Sequence, residues 1–114
     1  MQKFSKGLMS GSTALMILHL LSLKDMYGYE IIKELEKKSE NVFTLKEGTL
    51  YPVLHGLEKD DFASSYLENT AAGKQRKYYA ITKKGTGVLA QKKAEWKQFS
   101  IGVNTVIGEL SYAW

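Results

Sequence analysis

A chain of 114 residues is a single domain with only a moderate core, so association with a partner would add stability. Its composition, 44% hydrophobic and 25% charged, is that of an ordinary globular protein, and the net charge of +4 with a pI near 9.2 suits an acidic partner without demanding one. The absence of cysteine excludes disulfides, thiolate metal sites and cysteine nucleophiles, and it fits a reducing cytoplasm.

Residues 1–9 read as an N-terminal arm or a short helical extension carrying Lys3 and Lys6. Ser10 or Ser12 can cap a first helix that runs to about Leu23. Leu15, Leu18 and Leu21–Ser22 share one face of it, and Met16, Leu20 and Leu23 share another. A helix apolar on two faces is buried on two sides, here against its own core and against a second copy of the chain. Its apolar stretch, Ala14 to Leu23, is interrupted by His19 and Ser22 and is far shorter than the ~20 residues of a membrane span. No small-residue cleavage site follows, so neither a membrane segment nor a signal peptide is expected.

After a break at Lys24-Asp25-Met26, a second helix is expected from Tyr27 to about Lys38. Tyr29, Ile32 and Leu35–Glu36 follow helical spacing; Lys33, Glu34, Lys37 and Lys38 fill the wet face, and Gly28 loosens the first turn. Ser39-Glu40-Asn41 ends it. Thr44-x-x-Glu47 has the spacing of a capping box ahead of a third helix, Lys46–Lys59, whose Leu50, Leu54 and Leu57 form an inward stripe. Pro52 lacks an amide hydrogen, so the first turn or two should be irregular.

Phe62–Asn69 and Arg76–Thr82 alternate with period two and are rich in aromatics, as strands are, and Thr70–Gln75 with Gly73 suits a hairpin loop longer than a two-residue turn. Thr82 can cap a last helix reaching about Gly108 or Leu110. Along it Leu89, Trp96, Phe99, Val103, Val106 and Leu110 make a heptad-like seam in which Lys92 takes the missing position. Gly85, Gly87, Gly102 and Gly108 weaken this helix locally, so a partner must supply stability. A dimer joined through the first and last helices accounts for both apolar surfaces. The expected fold is mostly α, an α+β winged helix-turn-helix. Residues 10–82 hold three helices and a two-stranded β wing, and residues 83–114 form a long C-terminal dimerisation helix.

The third helix presents Lys46, Thr49 and Val53 outward, with Tyr51 to one side and Gly48 allowing close backbone approach. Lys, Thr and Tyr are donors suited to phosphates and base edges, although a solvated helix face is the commoner use of such residues. The hairpin tip carries Lys74, Arg76 and Lys77, cations that can meet phosphates or enter a minor groove. Each signal alone is weak; the order helix, helix, helix, strand, basic turn, strand, helix favours double-stranded DNA. His19 and His55 are isolated, without a second ligand at metal spacing, and neither Glu34/Glu36 nor Asp60/Asp61 makes an acid–base pair. No enzyme activity, metal or cofactor is expected.

Tyr27-Gly28-Tyr29-Glu30-Ile31-Ile32-Lys33-Glu34-Leu35, Gly48-Thr49-Leu50-Tyr51-Pro52 with its continuation to Lys59, and Arg76-Lys77-Tyr78-Tyr79-Ala80-Ile81-Thr82-Lys83-Lys84-Gly85 strongly resemble the PadR family of transcriptional regulators. The resemblance spans about residues 12 to 100, and the single helix after the wing looks like the compact branch of the family. It implies a homodimeric winged-helix repressor in the cytoplasm, bound to a palindromic operator. The third helix would read the major groove through Lys46, Gly48, Thr49 and Tyr51, the wing would contact the minor groove or backbone through Lys74, Arg76 and Lys77, and Tyr29 would lie near phosphate. Gln75 stands where the wing commonly has proline, which implies a looser turn, and Asp61 stands where glycine commonly ends the third helix. Aspartate tolerates a left-handed backbone better than most residues.

Leu89, Trp96, Phe99, Val103 and Val106 are the expected dimerisation residues. Trp96 has two readings. One is packing within the seam; the other is a stacking wall for a small planar aromatic effector, with Met16, His19 and Phe99 lining the same cleft. A winged helix used for protein contact alone, its basic wing merely solvated, is the alternative from another functional class.

Overall fold

The computed structural model describes residues 4–9 and 11–109. Helix α1 is a single turn, Lys6–Met9, and α2 runs Ser12–Leu23. The cap expected at Ser12 does not form. Gly11, left-handed at φ 83°, precedes α2, and the Ser12 hydroxyl donates back to the Met9 carbonyl instead of accepting from the helix amides. Ser10, the other expected cap, lies outside the described residues.

Ile17, Leu18, Leu20 and Leu21 of α2 are buried; Leu15 and Met16 are half-buried and Leu23 is exposed. The stretch Lys6–Leu23 is long and apolar enough to cross a membrane by composition, but its central leucines and isoleucine lie in the core of this domain.

The break after α2 contains a strand. Met26–Tyr27 form β1, antiparallel to the wing strand that carries Tyr78 and Tyr79. Helix α3 therefore starts at Gly28, not Tyr27, and ends at Lys38. Its buried residues are Gly28, Ile31 and Leu35; Tyr29 is 56% exposed, so the inward stripe is set one position away from the expected Tyr29–Ile32 phase. Gly28 is there for room, since a Cβ would collide with the Tyr51 hydroxyl. Glu40 and Asn41, both left-handed, close the helix.

Helix α4, Glu47–Lys59, buries Leu50, Leu54 and Leu57 as expected. The capping box is not made: Lys46 occupies the N-cap position without a side-chain bond. Buried Leu45 and half-buried Phe43 hold the segment ahead of α4 by packing instead. The helix is continuous through Pro52, with no irregular first turns. The proline costs one helical bond, the one the Gly48 carbonyl would have accepted. Asp61 is left-handed at φ 62°, the conformation expected where a glycine commonly stands.

Strands β2 (Ala63–Asn69) and β3 (Gln75–Ile81) form the hairpin, and with β1 they make a three-stranded antiparallel sheet in the order β1-β3-β2. Helix α5 runs Lys83–Val106, capped by Thr82, whose hydroxyl oxygen accepts from the Gly85 amide at 2.9 Å and donates to the Asp61 carbonyl at 2.6 Å. One residue thus ties the end of α4, the end of β3 and the start of α5. The core lies between α2, α3, α4 and the inner sheet face, with Tyr79 and Ala63 from the sheet and Leu89 from α5. The molecule measures 55 × 32 × 24 Å, the long axis reflecting the 24-residue α5.

Candidate nucleic-acid interface

Sinking Leu50, Leu54 and Leu57 into the core turns the opposite side of α4 outward. Lys46, Gly48 and Thr49 are exposed there, together with Pro52, His55 and Lys59 further along. The Lys46 carbonyl takes the amides of Thr49 and Leu50 at 3.0 and 2.9 Å, and among the described residues the amides of Glu47 and Gly48, at the positive end of the helix, have no backbone partner. That end suits phosphate oxygens. Lys46 adds a charge, and no Cβ at Gly48 blocks approach. Tyr51 is half-buried, its hydroxyl end over Gly28 and its ring centroid 6.4 Å from that of His55. It therefore clamps α4 onto α3 as well as edging the outward face. Pro52 and His55 share this face without having been singled out by sequence; the helical spacing 48, 52, 55 was the available signal. On α3, Tyr29 is exposed, with the Lys33 ammonium 5.4 Å from its ring.

The wing tip is a defined loop. The Thr70 amide donates to the Lys74 carbonyl at 2.7 Å, the Lys74 amide donates to the Thr70 hydroxyl at 3.2 Å, and Gly73 supplies a left-handed residue at φ 81°. Gln75 does not loosen the turn: it opens β3 paired with Asn69. Lys74, Arg76 and Lys77 are all exposed.

Arg76 is also braced. Its guanidinium lies 4.3 Å from the Tyr27 ring, Tyr27 meets Tyr78 edge-on at 5.5 Å, and Tyr78 stacks on Tyr66 at 5.8 Å. The Tyr66 hydroxyl donates to the Asp25 carboxylate at 2.7 Å, and this hydrogen bond first of all pushes the phenol up to about 12. This ladder exists because β1 pairs with β3, and it fixes a basic side chain at the root of the wing.

The third group of expected site residues lies along α5. Leu89 is 5% exposed and belongs to the core of its own chain. Trp96, Phe99, Val103 and Val106 are 51%, 64%, 41% and 87% exposed, an unpartnered apolar row that continues into Ile107. Trp96 and Phe99 lie with ring centroids 6.5 Å apart. Leu110 falls outside the described residues. Met16, His19 and Trp96 come together on the wall of one cavity, while Phe99 lines the neighbouring grooves and not that cavity. Burial, followed by the charges of Lys93 and Lys38, holds the His19 imidazole below its ordinary pKa.

The model of the family described as "Transcriptional regulator PadR-like family" matches residues 17–91. The chain is 42% identical over 82 residues to Uncharacterized protein X of Lysinibacillus sphaericus, covering 72% of this chain and 75% of that protein. Among solved structures, a transcriptional regulator from Clostridium thermocellum superposes with a TM-score of 0.81 at 34% identity, covering 88% of this chain and 97% of that one. A PadR-like transcriptional regulator from Bacillus cereus does so with a TM-score of 0.76 at 31% identity, covering 90% and 97%.

Proposed function

The chain belongs to the PadR-like family of transcriptional regulators, and on that premise we propose that it is a cytoplasmic repressor that binds a palindromic operator as a homodimer and has no enzymatic role. The observation that carries the DNA reading is the outward N-terminal half of α4. It offers Lys46, the amides of Glu47 and Gly48, and Thr49 beside an unobstructed Gly48, while Leu50, Leu54 and Leu57 anchor its other side. Such a helix end can dock in a major groove, with Tyr51 at the edge of the contact and Tyr29 toward the backbone. Lys74, Arg76 and Lys77 on the wing then take phosphates or the adjacent minor groove.

The exposed row Trp96, Phe99, Val103 and Val106 supports dimerisation through α5, because an apolar row of this length is a liability on a lone monomer. Two copies related by a two-fold axis present two reading helices to a two-fold site. A small planar aromatic effector at the seam would act by stacking on Trp96, near Phe99 and the α2 residues Met16 and His19. It controls binding only as far as it prefers one spacing of the two wings.

Selecting DNA from a random pool with the purified full chain tests the reading. The expected product is an inverted repeat whose half-sites lie about one helical turn apart. Enrichment of no sequence, or of a site without two-fold symmetry, would overturn it and favour a protein-contact role.

A further inference from the structure

Pairing of β1 and β2 with β3 puts Tyr27 and Tyr66 opposite Tyr78, and Glu68 opposite Arg76. Directly opposed residues of an antiparallel sheet point to the same side, and so do residues two apart on one strand. Tyr27, Tyr66, Glu68, Arg76 and Tyr78 therefore share the outer face of the sheet, away from the buried side chain of Tyr79. The neighbour that charge alone would choose for Arg76 is Glu68, directly across the ladder. Among the described residues the ion pairs are Lys24–Glu30 and Lys33–Glu36, and Arg76 is in neither. Its guanidinium lies instead 4.3 Å from the Tyr27 ring. A carboxylate would take the N–H donors of the guanidinium and cancel its charge. A ring holds the cation by its quadrupole and leaves donors and charge for a ligand.

Tyr27 is itself fixed. It is half-buried and paired with Tyr78, its ring meets Tyr78 edge-on, and the contacts close through Tyr66 onto Asp25, just ahead of β1. We propose that Tyr27 is a positioning residue for Arg76, and that the pair makes the wing read minor-groove width beside each half-site, favouring A·T-rich over G·C-rich flanks. The proposal rests on the reading of the wing as a DNA contact, and it separates one cation of the wing from the other two. A-tracts narrow the minor groove and deepen its negative potential, which draws in an arginine. The guanine amine lies in that groove and obstructs an entering side chain. A guanidinium already held in one place loses less freedom on entering, so it discriminates more than a mobile cation does. Lys74, on the loop, and Lys77, on the other side of the strand, are exposed ammonium groups that supply charge indifferent to sequence.

Duplexes carrying the selected inverted repeat, with A·T, G·C or inosine·C pairs on either side of each half-site, test this. Binding to the full chain is followed by fluorescence anisotropy at one salt concentration. Inosine lacks the guanine amine, so an inosine·C pair gives the minor groove of A·T with the major groove of G·C. The parent is expected to bind the A·T and inosine·C duplexes about tenfold tighter than the G·C duplex. Arg76→Lys keeps the charge and should bring that ratio to about two or less. Tyr27→Leu keeps apolar bulk without the ring and should do the same, whereas Tyr27→Phe keeps the ring and should retain the ratio. In the Arg76→Lys background, Tyr27→Leu should not change the ratio further. If Tyr27→Leu weakens binding to every duplex alike and leaves the ratio standing, Tyr27 is merely structural and the proposal is overturned. A parent indifferent to its flanks overturns it too, as does an Arg76→Lys protein that keeps the preference, an outcome that does not depend on how Tyr27→Leu folds. Each of these leaves the DNA reading intact. Absence of sequence-specific binding by the parent would sink that reading and this proposal with it, so the two failures are told apart.

Discussion

Gly85 has no room for a side chain because the first turn of α5 presses onto the Phe62 carbonyl, and a Cβ would run into that backbone atom. Phe62 is held on both sides, its amide donating to the Leu57 carbonyl of α4 at 2.8 Å and its carbonyl accepting from the Thr82 amide at 3.1 Å, so that carbonyl cannot step aside. Gly85→Ala should cost about 1–3 kcal/mol by overpacking and lower the thermal midpoint by several degrees; an unchanged midpoint would show that α5 can shift. His19 titration belongs to the same scale. Its folded pKa lies below the unfolded value of 6.5, chiefly through burial and then through Lys93 and Lys38. Its contribution to stability is therefore complete above about 6.5 and is lost as pH falls through the folded pKa. An NMR titration should place the imidazole midpoint below 6.5 and move it upward in Lys93→Met. A midpoint indifferent to Lys93 would remove that charge from the account.

The wing and α4 are each set up by neighbours as much as by their own sequence. The wing cations are exposed, which suits the proposed phosphate contact. Replacing Lys74 and Arg76 by alanine should weaken binding to all sequences and reduce the salt slope by about 1 for each phosphate that is no longer neutralised, read from binding at several salt concentrations. An unchanged slope would mean that the wing stays in solvent. The ladder behind Arg76 is tested at high pH. The Tyr66 phenol is pushed up to about 12 by its bond to Asp25, so that interaction is whole below pH 10 and lost as pH rises toward 12. The tyrosinate absorbance of Tyr66→Phe should therefore differ from the parent only near pH 12. In α4, Pro52→Ala restores a donor for the Gly48 carbonyl and should raise stability by up to about 3 kcal/mol, seen as a higher denaturant midpoint.

For the whole molecule, the decisive surface is the face of α5 that its own chain leaves uncovered. Leu89 is spent on the core, so the proposed association would rest on the residues beyond it, from Trp96 to Val106. Phe99→Lys with Val103→Glu places charges in the centre of that row. Sedimentation should then find monomers of unchanged helix content, and operator affinity should fall by several orders of magnitude as one half-site loses its partner. A dimer that survives both charges would move the interface elsewhere. The cavity and the exposed row share Trp96, so the proposed assembly and the proposed effector would meet at one side chain.

Much of this is legible in the residues. Period-two alternation marks the hairpin, the leucine stripe at 50, 54 and 57 marks α4, and Thr82 marks the start of α5, because each rests on local spacing that one element satisfies alone. The basic tip and the outward start of α4 are visible for the same reason. What the spacing cannot supply is the meeting of distant segments. Met26–Tyr27 reads as a break because two residues have no period of their own; they become a strand only when Tyr78 and Tyr79 lie alongside. The phase of α3 is ambiguous in the sequence because Tyr29 and Ile31 are both apolar enough to be core, and the close approach of Tyr51 to Gly28 decides between them. The capping box at Thr44 is plausible locally and yields to the burial of Phe43 and Leu45. The convergence of His19, Lys38 and Lys93 has no sequence signature at all. Local hydrogen bonding and periodicity are written along the chain, whereas burial and charge proximity arise only once separate elements share one space.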